Sequence, residues 1–198
     1  MEACVLTIVA FGCSQTYGHG LPDCIDPNDD SRAAPLPSRL AWPALIEATN
    51  LAQPGGSNKL CVYRALQFEW KPNDIAVFAW TFTDRSTLLP DKRREKVTNL
   101  GTWQSPDKKV KAWRQFVATA NNKDNFIWDN VLYIDYMKLR LPCKSFHFTI
   151  DKDLIEVYKF DGPCLHDFKV DNALDGMHYG ERTHFAIADY ISKTIASG

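Results

Sequence analysis

Ser14 is the residue from which a chemical reading of this sequence starts. It follows an apolar run, residues 5–11, that has the length and composition of a buried strand, and Gly12 lies between the two. A serine hydroxyl is a poor nucleophile unless a base removes its proton. That base is usually a histidine, itself oriented by a carboxylate. A nucleophilic role for Ser14 therefore requires both groups elsewhere in the chain.

His178 is the histidine with a carboxylate at a suitable spacing. In Asp175-Gly176-Met177-His178 one tight turn can bring both side chains together, and Gly176 relaxes the backbone of that turn. The turn immediately precedes the last predicted helix, so both side chains can project from one edge of a sheet. We interpret His19 as a loop histidine and His184 as a packed or surface histidine near this turn, and we assign no role to His147 or His166.

The elements that must position these residues alternate between strands and helices. Strands are predicted over 5–11, 50–54, 75–80, 145–150 and 155–158, and helices over 38–46, 58–70, 108–121, 125–139 and 181–196. The segments 21–37 and 83–106 are predicted to be irregular. The apolar strands lack polar alternation, which indicates a mostly parallel sheet covered on both faces. We expect one three-layer α/β/α domain over residues 1–198.

Ligands of such sheets bind beyond the carboxyl ends of the strands. Ser14, the turn at Gly55 and Thr81 each follow the end of a predicted strand. This convergence distinguishes Ser14 from a serine that only caps a helix or stabilises a turn. A purely structural role is also the alternative for Asp175 and His178, because acidic residues are favoured near helix N-termini.

Composition excludes several other classes of protein. The 198 residues carry a net charge of −1, which gives no basic surface for nucleic acid or an anionic membrane. No run approaches the length of a membrane-spanning helix, and no signal peptide is evident, so we expect a soluble protein made in the cytosol. The six cysteines form no Cys-x-x-Cys pair, which predicts free thiols and no zinc site, although a Cys13–Cys24 bridge stays open.

Three sequence blocks together resemble the SGNH/GDSL hydrolase family. They are Gly12-Cys13-Ser14 after the first strand, Asn50-x-Ala-x-x-Gly55 after the second, and Asp175-x-x-His178 near the C-terminus. The blocks occur in the family's order and span nearly the whole chain. The sequence is most similar to phage and bacterial members whose first block reads Gly-Cys-Ser-x-Thr-Tyr-Gly.

The resemblance implies a flavodoxin-like, five-stranded sheet with Ser14 as nucleophile, His178 as base and Asp175 as the carboxylate that orients it. It also implies an oxyanion hole made of the backbone N–H groups of Ser14 and Gly55, with an asparagine side chain as third donor. No metal or organic cofactor is implied. The expected substrate is a small-molecule or carbohydrate ester, and the resemblance does not fix the oligomeric state.

The sequence departs from the family pattern in two blocks. Cys13 stands where the family usually has aspartate, a position outside the triad, and we expect this side chain to pack in the core. The block after the third strand lacks the usual asparagine and reads Trp80-Thr81-Phe82-Thr83-Asp84-Arg85. Candidates for the third donor are therefore the hydroxyl groups of Thr81 and Thr83 and the amide of Asn58. Arg85 and the loop after it are where we expect substrate-specific contacts.

The function predicted from the sequence is hydrolysis of a small acyl ester, for example an O-acetyl group on carbohydrate. Two alternatives stay open at this point. In the first, the chain is a binding or structural module of the same fold, such as a virion-associated protein with a decayed site. In the second, it is an enzyme that transfers the acyl group to a sugar. The missing asparagine favours the binding module, and only an acceptor assay separates transfer from hydrolysis.

Overall fold

The computed structural model describes residues 6–26, 29–90, 97–101, 108–120 and 123–198. Its strands are β1 (Ile8–Phe11), β2 (Ile25–Asp26), β3 (Asp29–Ala33), β4 (Thr49–Asn50), β5 (Ile75–Trp80), β6 (Ser86–Leu88), β7 (Thr98–Leu100) and β8 (Lys144–Thr149). Its helices are α1 (Ser14–Tyr17), α2 (Trp42–Leu45), α3 (Asn58–Gln67), α4 (Lys108–Ala120), α5 (Lys123–Arg140), α6 (Lys152–Val157) and α7 (Glu181–Ser197), with a 3₁₀ turn at Leu165–Phe168.

Four of the strands form a parallel central sheet in the order β4-β1-β5-β8. The chain leaves β1, adds β4 on one side, and then crosses to β5 on the other side. The connections that follow β1 and β4 therefore run in opposite directions across the sheet. In open α/β sheets this reversal opens a crevice at the carboxyl ends of the strands, where ligands bind. Ser14 lies at that reversal.

The sheet is covered by helices on both faces, as its apolar strands predict. Alternate strand residues point to opposite faces. One face packs against α2 and α7, with Ala10, Val77, Ala79, Phe146, Phe148, Trp42, Ile187 and Ile191 in its core. The other packs against α3, α5 and α6, with Val9, Phe11, Ala76, Phe78, Trp80, Cys61, Val131, Ile134 and Leu154 in its core. The α/β class with a parallel sheet is confirmed.

The expected fifth strand, over 155–158, is wrong because most of that segment lies in helix α6. Asp151 caps the helix, since its side chain accepts a hydrogen bond from the backbone N–H of Asp153 at 3.0 Å. The other carboxylate oxygen accepts from the N–H of Thr83 at 3.0 Å, which joins the start of α6 to the end of β5. A buried aspartate that satisfies two backbone donors favours a helix over a short strand.

The segments predicted as irregular each contain paired strands. β2 and β3 form a small antiparallel hairpin within 21–37, and β6 pairs with β7 within 83–106. The predicted helix over 38–46 shrinks to α2, because Ser38 accepts a hydrogen bond from the Leu40 N–H at 2.9 Å and closes a turn instead of capping a long helix. The strand predicted over 50–54 is likewise reduced to the two residues of β4. Val5 of the first predicted strand lies outside the described residues.

The helices of the described ranges are all too short or too polar to cross a bilayer. Cys13, Cys24, Cys61, Cys143 and Cys164 are free thiols, so the Cys13–Cys24 bridge does not form. Cys13 is 1% exposed and packs in the core with the α7 face, as expected from the sequence.

Candidate functional site

Ser14 is the first residue of the short helix α1, three positions after the end of β1. The residue is 6% exposed, so it lies just beneath the surface at the sheet edge. Gly12 allows this tight strand-to-helix turn, because a Cβ at that position would lie 2.1 Å from Thr16 Oγ1. The chain therefore turns into α1 directly from the central strand of the sheet.

Asp175 and His178 form a hydrogen-bonded pair within one turn. The Asp175 Oδ1 atom accepts from the backbone N–H groups of Met177 and His178 at 2.9 and 3.0 Å, and Oδ2 contacts His178 Nδ1 at 2.5 Å. A carboxylate has no proton to donate, so His178 carries its proton on Nδ1 and presents Nε2 as an acceptor. This is the orientation that a general base requires.

The Asp175 carboxyl is held in its ionised form. Burial favours the neutral acid, but the two backbone hydrogen bonds, the hydrogen bond from the His178 ring and the electrostatic interaction with that ring outweigh burial and lower the pKa of Asp175 below its ordinary value. The His178 side chain is 15% exposed and the Asp175 side chain 8%. The pair is thus partly shielded from water yet open to a ligand.

Three contacts bring the Asp175–His178 turn to the Ser14 segment. The Gln15 side chain accepts from the Tyr179 N–H at 2.9 Å, and the Gly20 carbonyl accepts from the Leu174 N–H at 3.0 Å. The rings of His19 and His178 lie 4.5 Å apart between centroids. Within the described ranges, no hydrogen bond joins the Ser14 hydroxyl to His178. Catalytic hydrogen bonds are often long without substrate and tighten when it binds.

The loop that carries Gly55 is anchored to the Ser14 turn. Asn50 Nδ2 donates to the Thr16 carbonyl at 2.9 Å, and the N–H of Gln53 donates to the Gly12 carbonyl at 3.2 Å. Gly55 has φ of 70°, a left-handed conformation that favours glycine. In the part of the chain that the structure describes, the N–H groups of Ser14 and Gly55 donate no hydrogen bond, so both are available to an oxyanion.

Asn58 is used inside the fold. Its amide nitrogen donates to the Thr81 carbonyl at 2.8 Å and to Asn130 Oδ1 at 2.6 Å, while its oxygen accepts from the Thr81 N–H at 2.7 Å. Both N–H bonds of the amide are therefore occupied, and this conformation leaves none for a substrate. The proposed role of Asn58 as an oxyanion donor is not supported by this geometry. Its observed role is to fix the backbone at the end of β5.

Thr81 and Thr83, the other two candidates for the third donor, differ in burial and in hydrogen bonding. Thr81 is fully buried, and its hydroxyl has no hydrogen-bond partner within the described residues. Thr83 is 7% exposed, and its backbone is tied to Asp151. Thr81 stays a candidate only if its hydroxyl becomes accessible when a ligand binds. Arg85 turns toward its neighbour Phe82, with the guanidinium carbon 4.9 Å from the ring centre.

Three residues that sequence reasoning missed also shape this site. Gly20 has φ of 85°, and a Cβ there would lie 2.7 Å from the Asp175 carboxyl, so this glycine lets the carboxyl approach the Ser14 segment. Arg64 donates to the carbonyls of Leu51 and Ala52 at 2.6 and 3.2 Å and braces the loop before Gly55. The Asn99 amide donates to the Pro54 carbonyl at 3.2 Å. The spacing Gly-x-Gly at 18–20 was the available signal for Gly20.

His184, expected to be a packed or surface histidine, lies in the core. His184 is fully buried, and its Nδ1 accepts from the Trp42 N–H at 3.1 Å. Trp80, at the end of β5, is fully buried in the core as well. His19 differs from the expectation of an ordinary loop histidine, because its ring packs against that of His178.

Comparison with protein-family models, curated proteins and solved structures finds no match to this chain, so the SGNH/GDSL resemblance rests on the sequence blocks alone.

Proposed function

We propose that this chain is a serine ester hydrolase of SGNH/GDSL type, with Ser14 as nucleophile, His178 as general base and Asp175 as the orienting carboxylate. The observation that carries the proposal is the hydrogen-bonded Asp175–His178 pair, which lies at the sheet edge that bears Ser14. The pair supplies a base in the required tautomer, and the N–H groups of Ser14 and Gly55 supply two donors for an oxyanion.

The reaction proceeds through an acyl-enzyme. His178 Nε2 takes the Ser14 hydroxyl proton while Oγ bonds to the ester carbonyl carbon, and the carbonyl oxygen becomes an oxyanion held by the two N–H groups. The protonated ring then gives its proton to the leaving alkoxide, and the carbon–oxygen bond of the ester breaks. Water repeats the sequence, with His178 as base again, and releases the acid and free Ser14.

Substrate binding must bring the Ser14 hydroxyl and His178 into hydrogen-bond contact, because no hydrogen bond joins them in the described residues. The N–H groups of Ser14 and Gly55 are the two proposed backbone donors, and no third donor is proposed. Losing one oxyanion donor costs about 10²–10³ in rate, so slow turnover is compatible with the proposal. A small acyl group, such as an O-acetyl group on carbohydrate, is the substrate class that the family resemblance favours. The free thiols support a reducing compartment such as the cytoplasm.

The first test compares the parent chain with Ser14→Ala in hydrolysis of p-nitrophenyl acetate. We expect the variant to lose about 10⁴-fold or more in kcat/KM, the scale at which loss of a triad serine acts. Ser192→Ala, which changes an exposed serine on α7, is the matched control and retains the parent rate. Equal hydrolysis by the parent and Ser14→Ala would refute the mechanism.

The second candidate is a binding or structural module that keeps the fold without turnover. The missing Ser14–His178 hydrogen bond and the internal use of the Asn58 amide favour it. A fluorophosphonate probe separates the two candidates, because it modifies only an activated serine. Labelling mapped to Ser14 supports the hydrolase, and an unlabelled, folded chain supports the module. Sugar acceptors added to the ester assay then distinguish acyl transfer from hydrolysis by the acylated sugar that transfer produces.

A further inference from the structure

His19, Asp175 and His178 together form a cluster whose side chains resemble a metal-ligand set. One potential ligand atom from each residue lies within 4.8 Å of the others. The two imidazole rings pack with their centroids 4.5 Å apart and their planes inclined by 34°. All three residues are partly buried. The cluster joins the α1 segment to the turn before α7, two regions far apart in the sequence.

The His19 ring has an unsatisfied nitrogen in this cluster. Its Nε2 atom is buried and has no hydrogen-bond partner within the described residues. A buried polar atom without a partner costs free energy, and a bound cation would remove that cost.

We propose that His19, Asp175 and His178 bind one divalent transition-metal ion of the Zn²⁺ class. Two imidazole nitrogens and one carboxylate oxygen are a ligand set that Zn²⁺ uses at open sites, where water or substrate completes the coordination. Mg²⁺ and Ca²⁺ are disfavoured because both prefer oxygen ligands. Ligand atoms bound at about 2.1 Å lie no more than about 4.2 Å apart, so small side-chain rotations must draw the three atoms closer together.

Metal binding would oppose the reaction proposed above. An ion bound to His178 Nε2 occupies the lone pair that receives the Ser14 proton, and an ion bound to Asp175 competes with the hydrogen bond that orients the ring, so the bound form is inhibited and a chelator restores turnover. This consequence rests on the proposed function, whereas binding itself does not. His19 is then the residue that adds metal affinity to a pair otherwise suited to proton transfer.

The test is calorimetric titration of the reduced chain with ZnCl₂, with free thiols counted by a chromogenic disulfide before and after Zn²⁺ is added. We compare the parent with His19→Asn and His178→Asn. The matched control is His166→Asn, because His166 is a half-buried histidine whose ring contacts Tyr179 outside the cluster. We expect one Zn²⁺ site per chain, weakened at least tenfold in the two cluster variants and unchanged in His166→Asn.

The proposal is overturned if His19→Asn binds Zn²⁺ as tightly as the parent, or if Zn²⁺ protects thiols in place of the histidines. Should a cluster variant fail to fold, ring-nitrogen NMR of the parent decides. Zn²⁺ must then shift the resonances of His19 and His178 and leave those of His147 and His166 in place, and any other pattern contradicts the site. An inactive chain that binds Zn²⁺ in this way refutes the esterase and keeps the metal site.

Discussion

The turn that holds His178 and the core that holds His147 and His184 give the same side chain two different environments. His178 is partly exposed and donates to a carboxylate at 2.5 Å. His147 and His184 are fully buried, and among the described residues their ring nitrogens form hydrogen bonds only with neutral groups: the Trp80 indole, the Ser145 hydroxyl and the Trp42 backbone N–H. The difference is whether an anionic group forms a hydrogen bond with the ring.

Burial lowers the pKa of His147 to about 3 and of His184 to about 4, so neither ring accepts a proton near neutral pH. At the sheet edge, the Asp175 carboxylate accepts a hydrogen bond from the His178 ring, which is the role of the orienting carboxylate in the proposed mechanism. A histidine therefore becomes a candidate base here through its partner and its access to solvent. Being buried near the site, as His184 is, does not suffice.

Removing the charge of Asp175 should cause the largest loss of activity, because it takes away the group that distinguishes His178 from the buried histidines. Asp175→Asn keeps the side-chain volume but no longer favours the Nδ1–H tautomer of His178, so we expect kcat/KM for p-nitrophenyl acetate to fall by about 10⁴-fold, as the equivalent change does in serine proteases. Asp189→Asn, on the exposed face of α7, is the control and retains activity. A fully active Asp175→Asn would show that the carboxylate does not orient a catalytic base.

Displacing the Asp175 carboxyl without removing it should have a smaller effect. Gly20→Ala puts a Cβ 2.7 Å from that carboxyl, and a shift of about 1 Å at a catalytic group can lower the rate about 10²-fold. Gly176→Ala is the matched control, since it has a similar left-handed φ of 72° but open space around the added Cβ. We expect both variants to lose stability in thermal melts and Gly20→Ala to lose more activity. Equal activity losses would attribute the effect to backbone strain alone.

The buried histidines should make the fold sensitive to acid. The unfolded chain binds a proton near the ordinary pKa of 6.5, whereas folded His147 does so only near about 3. The free energy of unfolding therefore falls as the pH drops below about 6.5, by about 1.4 kcal/mol per pH unit for each such group. Urea titrations at several pH values between about 6.5 and 5 measure this slope.

His147→Gln should lower the pH slope of the unfolding free energy by the contribution of about one proton. His166→Asn should change this slope less, because His166 is less buried. The slope, and not the absolute stability, is the quantity compared, since glutamine also alters packing against Trp80. A His147→Gln variant with the pH slope of the parent would mean that this ring titrates normally in the folded chain.

Much of the central sheet could be predicted from local pattern. The apolar run at 75–80 is strand β5 with the predicted bounds, and 145–150 corresponds to β8 with a shift of one residue. The failure at 155–158 has a physical cause. The run Ile155-Glu156-Val157 suits a strand by composition, but Asp151 is placed by its contact with Thr83 and caps a helix there. That contact joins residues distant in the sequence, so no local pattern reveals it.

The sequence by itself determined the parts of the candidate site that depend on neighbours in the chain. The i, i+3 spacing of Asp175 and His178 lets one turn form their hydrogen bond, and Gly12 lets Ser14 follow β1 closely. Only the tertiary structure decided that His19 and Gly20 meet this turn and that the Asn58 amide is used at Thr81 and Asn130. Those contacts depend on how the helices dock on the sheet, and docking is set by the summed packing of residues far apart in the chain.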